Sequence, residues 1–315
     1  MILKKIFPLV ILTALLSACS PVQSRLFYFD TMVDIQLADG KKSDLDYLKD
    51  LFSQYDSLSD NYLPREVANV YSINATNDDI QIDEKLYDLL KVSFNAKNEG
   101  ATYFNPLCGS LAKKWKEALN SQQILDENTK NAEILKMNSS TLLFKDNHTV
   151  QTVGEAEVDL GGIVKGYVLD EVYSYLNSKK MTHYLVNGGS SSILVGEKKN
   201  KTGLFNVGIK DLNNAYIQVK NCFVSVSGIS SQGVKIGDTM YSHIINPFTG
   251  DAINEHDAVV VISDKGYLGD VLSTSMMLNT IEEIKEIETL QNVKTIVIKD
   301  NKVTYCHKDI EVKYH

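Results

Sequence analysis

The chain holds only four cysteines and five prolines among its 315 residues. No two cysteines form a Cys-x-x-Cys pair and none clusters with histidine, so neither a disulfide scaffold nor a zinc module is in view. The three that follow Cys19, at 108, 222 and 306, allow one disulfide with one thiol left over, and they read as small buried hydrophobes. Few prolines together with a hydrophobic share of 43% exclude a disordered or low-complexity chain. Basic residues are in deficit: the formal net charge of −8 disfavours non-specific nucleic-acid binding, which needs positive patches. Several signature motifs are missing as well. No Gly-x-Gly-x-x-Gly joins a strand to a helix, no Gly-Lys-Ser/Thr marks a Walker loop, and no Gly-x-Ser-x-Gly elbow supports a hydrolase triad. His148, His183, His256, His307 and His315 stand isolated, without metal-ligand spacing.

What is present begins at the first residues. Lys4 and Lys5 precede an apolar run over 6–16, which is too short for a membrane span of about 20 residues. The run ends in Leu16-Ser17-Ala18-Cys19, small residues before a cysteine, as in a bacterial lipobox. The expected organisation is a signal segment over 1–18, a lipidated Cys19 with a tether to residue 25, and one domain over 26–315. The mature chain is therefore expected outside the cytoplasm, anchored by more than one acyl chain to the cell membrane.

Hydrophobic periodicity organises the rest. Residues 31–37 alternate as a half-buried strand, and Leu45, Leu48, Leu51, Phe52 and Tyr55 follow helical spacing. A polar loop is expected over 56–66, a helix over 83–98 ended by Gly100, and a third helix carrying Leu107, Leu111 and Trp115. Residues 141–144 and 149–153 read as a hairpin around Asp146-Asn147. Short strands follow over 184–186, 192–196, 204–209, 223–226, 259–263 and 293–298, with helices over 165–177 and 268–278. This mixture predicts an α+β fold with largely antiparallel pairing and flanking helices.

Three segments carry chemistry. Asp159-Leu160-Gly161-Gly162-Ile163-Val164-Lys165-Gly166-Tyr167 puts paired glycines and a lysine at a helix start, a setting that suits a nucleotide diphosphate or a plain strand-to-helix turn. Asp270 and Thr274 share a helix face, with Ser273 beside them; they offer hard oxygens for Mg²⁺, or Asp270 simply caps the helix start. His243 lies in Tyr241-Ser242-His243-Ile244-Ile245-Asn246-Pro247-Phe248-Thr249-Gly250, where it can take a proton from a hydroxyl or serve the fold. Asn187-Gly188-Gly189 is a further glycine turn after a strand.

Taken in order, these segments resemble the ApbE-type FAD:protein FMN transferases. The region over 58–74, with Tyr62, Pro64, Glu66 and Asn69, is loosely similar to an early family block. Gly100-Ala101-Thr102-Tyr103-Phe104-Asn105-Pro106 with Trp115, the 159–167 segment, Asn187-Gly188-Gly189, Ser227-Gly228, 243–250 and Gly269-Asp270-Val271-Leu272-Ser273-Thr274 resemble later ones. The resemblance implies cleavage of the FAD pyrophosphate, attachment of FMN to Thr or Ser of a partner protein, and release of AMP. It implies Mg²⁺ on Asp270, Thr274 and the Gly162 carbonyl, with Ser273 as a further ligand, and His243 as the base. It implies that Met32, Tyr62, Tyr103, Phe104, Asn105, Asp159, Lys165 and Ile245 hold FAD, and that the acceptor is an exported or membrane-embedded electron-transfer protein. Departures are Asn105 and Asn246, where aspartate is usual, and Arg65, where a small polar residue is typical. An FAD pyrophosphatase releasing FMN and AMP would use the same metal site; a non-catalytic FAD-binding lipoprotein is a further alternative, against which Asp270, Thr274 and His243 together count.

Overall fold

The computed structural model describes residues 21–315 apart from 190, 232 and 253, so the expected signal segment and Cys19 lie outside the described residues. In chain order the strands are β1 (Val22–Tyr28), β2 (Thr31–Leu37), β3 (Ile80–Gln81), β4 (Thr141–Lys145), β5 (Thr149–Val153), β6 (Tyr184–Gly188), β7 (Ser192–Val195) and β8 (Phe205–Gly208). They continue with β9 (Ala215–Val219), β10 (Cys222–Gly228), β11 (Val234–Ile236), β12 (Thr239–Tyr241), β13 (Ala258–Ser263), β14 (Lys294–Lys299), β15 (Lys302–Cys306) and β16 (Lys313–Tyr314). The helices are α1 (Lys42–Ser59), α2 (Val70–Asn74), α3 (Glu84–Asn95), α4 (Gly109–Asn120), α5 (Glu127–Ser139), α6 (Val164–Ser178), α7 (Gly266–Met276) and α8 (Ile281–Gln291). Among the described residues no helix is long and apolar enough to cross a membrane.

The fold is α+β. Eight strands form one antiparallel sheet in the order β1-β2-β6-β7-β10-β13-β14-β15, and small sheets β3-β5-β4, β16-β9-β8 and β11-β12 surround it. The two-residue alternation of strands sorts side chains onto two faces. Val259, Val261 and Val297 join the large core shared with α1, α3, α6 and α7, while Ala258, Val260, Ile296 and Ile298 join a second cluster with Ala215 and Ile217 of β9. Register also defines two ends of the sheet. Val33 pairs with Gly188, Ser192 with Ser225 and Gly228 with Ala258 at one end; Leu37 pairs with Tyr184, Val195 with Cys222 and Phe223 with Ser263 at the other.

Ordered structure begins earlier than the tether expected to residue 25. β1 opens at Val22, and Gln23, Ser24 and Arg25 pair with Gln36, Ile35 and Asp34. Arg25 is held by a two-pronged contact to Asp34 (2.6 and 3.2 Å). Gly100 ends the third helical stretch in the left-handed region (φ 84°), as its position predicts. The cysteines at 108, 222 and 306 are free and half-buried; burial pushes the Cys108 and Cys222 thiols up to about 12, which leaves them protonated and inert.

Candidate active site

At the Gly188 end of the sheet, α6 and α7 approach with almost no space between them. A Cβ on Gly166 would lie 2.2 Å from the Gly266 carbonyl oxygen and 2.8 Å from Asp270 Cγ, so glycine alone fits there. This approach lets Asp270, on α7, reach the start of α6: the Gly166 N–H donates to Asp270 Oδ2 at 2.7 Å. That N–H is one of the first four of α6, which lack partners inside their own helix. Asp270 therefore caps a helix, but it caps α6 and not its own. Asp170 of α6 returns the arrangement, accepting from the N–H groups of Gly266 (2.7 Å) and Tyr267 (2.8 Å) at the start of α7.

Asp270 is only 6% exposed and makes no ion pair among the described residues. Ser192 Oγ donates to its two oxygens at 2.7 and 2.9 Å, and Ser225 Oγ donates to Oδ1 at 2.7 Å. Ser192 and Ser225 are direct cross-strand partners on β7 and β10. Burial pushes the Asp270 carboxyl upward, opposed by the charge of Lys165 and by these donors. Next to it Ser227 Oγ lies 3.0 Å from Ser273 Oγ and 3.3 Å from Thr274 Oγ1, while Ser273 donates to the Asp270 carbonyl at 3.0 Å. Thr274 is half-buried, and a Cβ on Gly162 would sit 3.6 Å from its Oγ1 and 3.0 Å from the Phe104 ring. Asp270, Ser273, Thr274, Gly162 and Phe104 thus converge.

This donor set fits Mg²⁺. A buried carboxylate with no ion-pair contact, ringed by hydroxyls, is a hard-oxygen setting. No group of three or more His, Cys, Asp or Glu gathers among the described residues, which argues against a soft or carboxylate-rich cage. Mg²⁺ characteristically uses one or two carboxylates and completes its shell with phosphate and water.

The walls are fixed from several directions. Asp159 Oδ1 accepts from the Gly161 N–H (2.7 Å) and Oδ2 from Asn61 Nδ2 (3.1 Å), which ties the glycine turn to the 60–69 loop. Lys165 folds back on the Gly161 carbonyl at 3.2 Å. The Tyr103 N–H donates to Ser275 Oγ of α7 at 3.0 Å, and the Tyr103 ring meets Phe248 edge-on at 5.5 Å. Phe248 belongs to the His243 loop, which Trp115 holds by donating Nε1 to the Gly250 carbonyl at 2.7 Å and by stacking on Tyr241. On either side of His243, Ser242 and Ile244 are buried, and Ser242 Oγ accepts from the Ile244 N–H at 2.9 Å. The imidazole keeps solvent access, yet the crowded cleft wall and the Lys165 charge disfavour its cationic form, and its pKa is pushed down to about 4.

Met32 is 45% exposed at the start of β2, beside the Gly188-Gly189 turn, where a Cβ on Gly189 (φ 94°) would collide with Thr31 at 2.2 Å. Ile245 is half-buried in the His243 loop. Tyr62 stands apart: its half-exposed ring faces Lys116 at 4.7 Å and Lys113 at 5.3 Å. Asn105 and Asn246 behave alike, each using its side-chain oxygen to accept a loop N–H, from Leu107 (3.0 Å) and from Phe248 (2.9 Å). Aspartate or asparagine can make such turns.

Ser192, Ser225, Asp170 and Asn61 were not legible as site residues. For the two serines a signal existed: Ser192 opens the apolar run of β7, and Ser225 lies buried between valines in β10. One expectation shifts as well, because the Gly166 N–H, a donor expected to be free for an anion, is taken by Asp270.

The sequence profile of the ApbE family matches residues 29–297. An FAD:protein FMN transferase of Treponema pallidum is 26% identical over 219 residues, 62% of this chain and 60% of that protein. One of Chlamydia muridarum is 22% identical over 295 residues, 88% of this chain and 91% of its own. Part of the Treponema protein's length, beyond the 60% matched, has no counterpart in that alignment. Among solved structures, an ApbE protein of Thermotoga maritima superposes with a TM-score of 0.76 at 19% identity, covering 94% of this chain and 97% of that one. The flavin transferase ApbE of Vibrio cholerae gives 0.71 at 18%, with the same coverage. With the profile spanning from the end of β1 to β14, and the overall fold shared with those structures, the chain belongs to the ApbE family.

Proposed function

We propose that the protein is an Mg²⁺-dependent FAD:protein FMN transferase acting outside the cytoplasm. It cleaves the FAD pyrophosphate, attaches FMN through a phosphoester to Thr or Ser of an electron-transfer protein, and releases AMP. The observation that carries this reading is the buried Asp270 carboxyl, without an ion pair among the described residues and one helical turn from Thr274, whose Oγ1 lies against Gly162, with the Lys165 charge felt by both Asp270 and His243. The similarity to the FAD:protein FMN transferases of Treponema pallidum and Chlamydia muridarum supports it.

Asp270, Thr274 and the Gly162 carbonyl, with Ser273 behind them, would hold Mg²⁺. When bound, the ion withdraws charge from the attacked phosphate and orients the pyrophosphate. Lys165 adds a second positive group beside it. His243, neutral at pH 7, accepts the proton of the acceptor hydroxyl as the new O–P bond forms and the pyrophosphate P–O bond breaks. A diphosphate next to His243 raises its pKa from about 4 towards neutrality, because an anion favours the imidazolium. Tyr103, Phe104 and Phe248 offer aromatic faces for a flavin, with Met32, Asn105, Asp159 and Ile245 completing its pocket, while Tyr62 lies apart from it.

The deciding experiment incubates the chain from Ser20 with FAD, Mg²⁺ and an acceptor domain bearing a flavinylation threonine. In-gel flavin fluorescence after denaturation is expected on the acceptor, with AMP in the supernatant. AMP with free FMN alone would identify a pyrophosphatase, and bound FAD without AMP a carrier. Asp270→Ala should lower transfer more than about 100-fold, since loss of even a group supporting a metal ligand costs about 10- to 100-fold. Full Mg²⁺-dependent transfer by that variant would refute the metal assignment.

A further inference from the structure

The end of the sheet opposite the candidate site carries lysines that the transfer reaction leaves unused. The loop after β7 contains Lys198, Lys199 and Lys201, and together with Lys220 and His183 it walls an open depression. Two carboxylates lie among these side chains. Asp39 is shared by Lys199 (2.8 Å) and His183 (2.6 Å), and Glu197 pairs with Lys220 at 3.1 Å. Lys198 and Lys201 enter no ion pair among the described residues, and Lys41 and Lys42 are exposed close by, just after Gly40. A local excess of positive charge has therefore collected on a chain whose net charge is −8.

The same face is where the chain departs towards Cys19. Val22 pairs with Leu37, and a Cβ on Gly40 would lie 3.3 Å from Val22 Cγ2. Lys199 Nζ also donates to the Ala38 carbonyl at 3.1 Å, so the lysine loop packs beside that exit. Only Ser20 and Pro21 separate Val22 from Cys19, a reach of about 10 Å.

We infer that this lysine face rests on anionic phospholipid headgroups, so that the sheet stands on the membrane. The inference relies on Cys19 as the lipid attachment point. Seven residues of β2 run from Leu37 at this face to Thr31 at the site, which raises the cleft about 20 Å above the surface. The cleft then opens towards the aqueous side, and an acceptor hydroxyl must reach that height. Acyl chains hold a protein near a membrane, and a basic patch both strengthens the hold and sets the orientation.

The test uses the unlipidated chain from Ser20, which keeps every described element, so the outcome does not depend on acylation of Cys19. Co-sedimentation is measured with phosphatidylcholine vesicles with and without phosphatidylglycerol, at low and high salt. Binding is expected only with phosphatidylglycerol and is lost at high salt. K198Q/K199Q/K201Q/K220Q should weaken it by about 100-fold or more, since each lysine near a charged surface contributes about fivefold. K91Q/K136Q/K285Q/K302Q, with the same change in net charge on other faces, should bind like the parent chain. Equal binding to both vesicle types, or an equal loss in the two quadruple variants, overturns the inference. If the full-length protein still fractionates with membranes and Cys19→Ser releases it, the anchor stands and only the docking face falls.

Discussion

His243 shows how much a single side chain's surroundings decide. Its imidazole titrates near 4 because neighbouring atoms and Lys165 both oppose a second positive charge, so the free protein keeps it neutral across the physiological range. The acid limb of kcat/KM, which reports the free enzyme, should therefore lie near pH 4, and that of kcat should lie higher, because the bound diphosphate restores the cation. Stability follows the same shift. The folded pKa lies below the unfolded value of 6.5, so below about pH 6.5 the unfolded chain binds the proton more readily. This contribution makes stability decline as pH falls from about 6.5 to 4, and His243→Asn should flatten that part of the curve in denaturant titrations. The same substitution should lower flavin transfer far more than FAD binding; equal losses in both would make His243 a binding residue. Asn246 makes the complementary point, since its oxygen serves the turn that aspartate would serve: Asn246→Asp should leave transfer within about threefold, a change below 1 kcal/mol.

At the scale of elements, the reciprocal caps between α6 and α7 set the site's geometry. Gly166 and Gly266 bring the two helix starts together, and each helix supplies the carboxylate that the other lacks. Asp170→Asn removes one of two acceptor oxygens at the start of α7 and should cost about 1–2 kcal/mol. A loss of kcat alongside that drop in thermal stability would follow if α7 moves Asp270; unchanged kcat would limit Asp170 to a structural cap. These cross-helix contacts were not legible in the sequence, because Asp170 and Asp270 are 100 residues apart and only folding makes them neighbours. Elements with a clean apolar stripe were legible: α1, α3 and the β4–β5 hairpin stand where periodicity puts them, and α4 carries Leu111 and Trp115 but opens at Gly109, after Leu107. α5 was missed for want of such a stripe, with Leu135 70% exposed while Lys130 and Glu133 are buried. α8 was missed although Thr280 and Glu283 form a capping box that announces its start. For the site, Asp270, Ser273, Thr274, Gly162 and Phe104 come together while Tyr62 stands apart, and the serines that line Asp270 come from β7 and β10, far from it in sequence.

The whole molecule divides its burial between two faces of one sheet, and only one of them underlies the site. On the α6–α7 face, Leu169 is fully enclosed and lies against Gly188, in the strand that leads to the turn beside Met32. On the opposite face, Ile296 is equally enclosed in the smaller cluster with Ile217 and Val260. Both side chains are apolar, of similar volume and without solvent contact, so truncation to alanine removes comparable transfer energy and leaves comparable cavities. Each of Leu169→Ala and Ile296→Ala should lower stability by about 2–5 kcal/mol in chemical denaturation. Their effects on chemistry should separate. Collapse around Leu169 shifts α6, and with it Lys165 and the Gly166 N–H that holds Asp270, so flavin transfer measured well below the melting point should fall. Ile296 reaches none of those groups, and its variant should transfer flavin at the parent rate while it remains folded. If both variants lost activity in proportion to lost stability, the sheet would transmit strain between its faces, and the site would depend on the whole core instead of on one side of it.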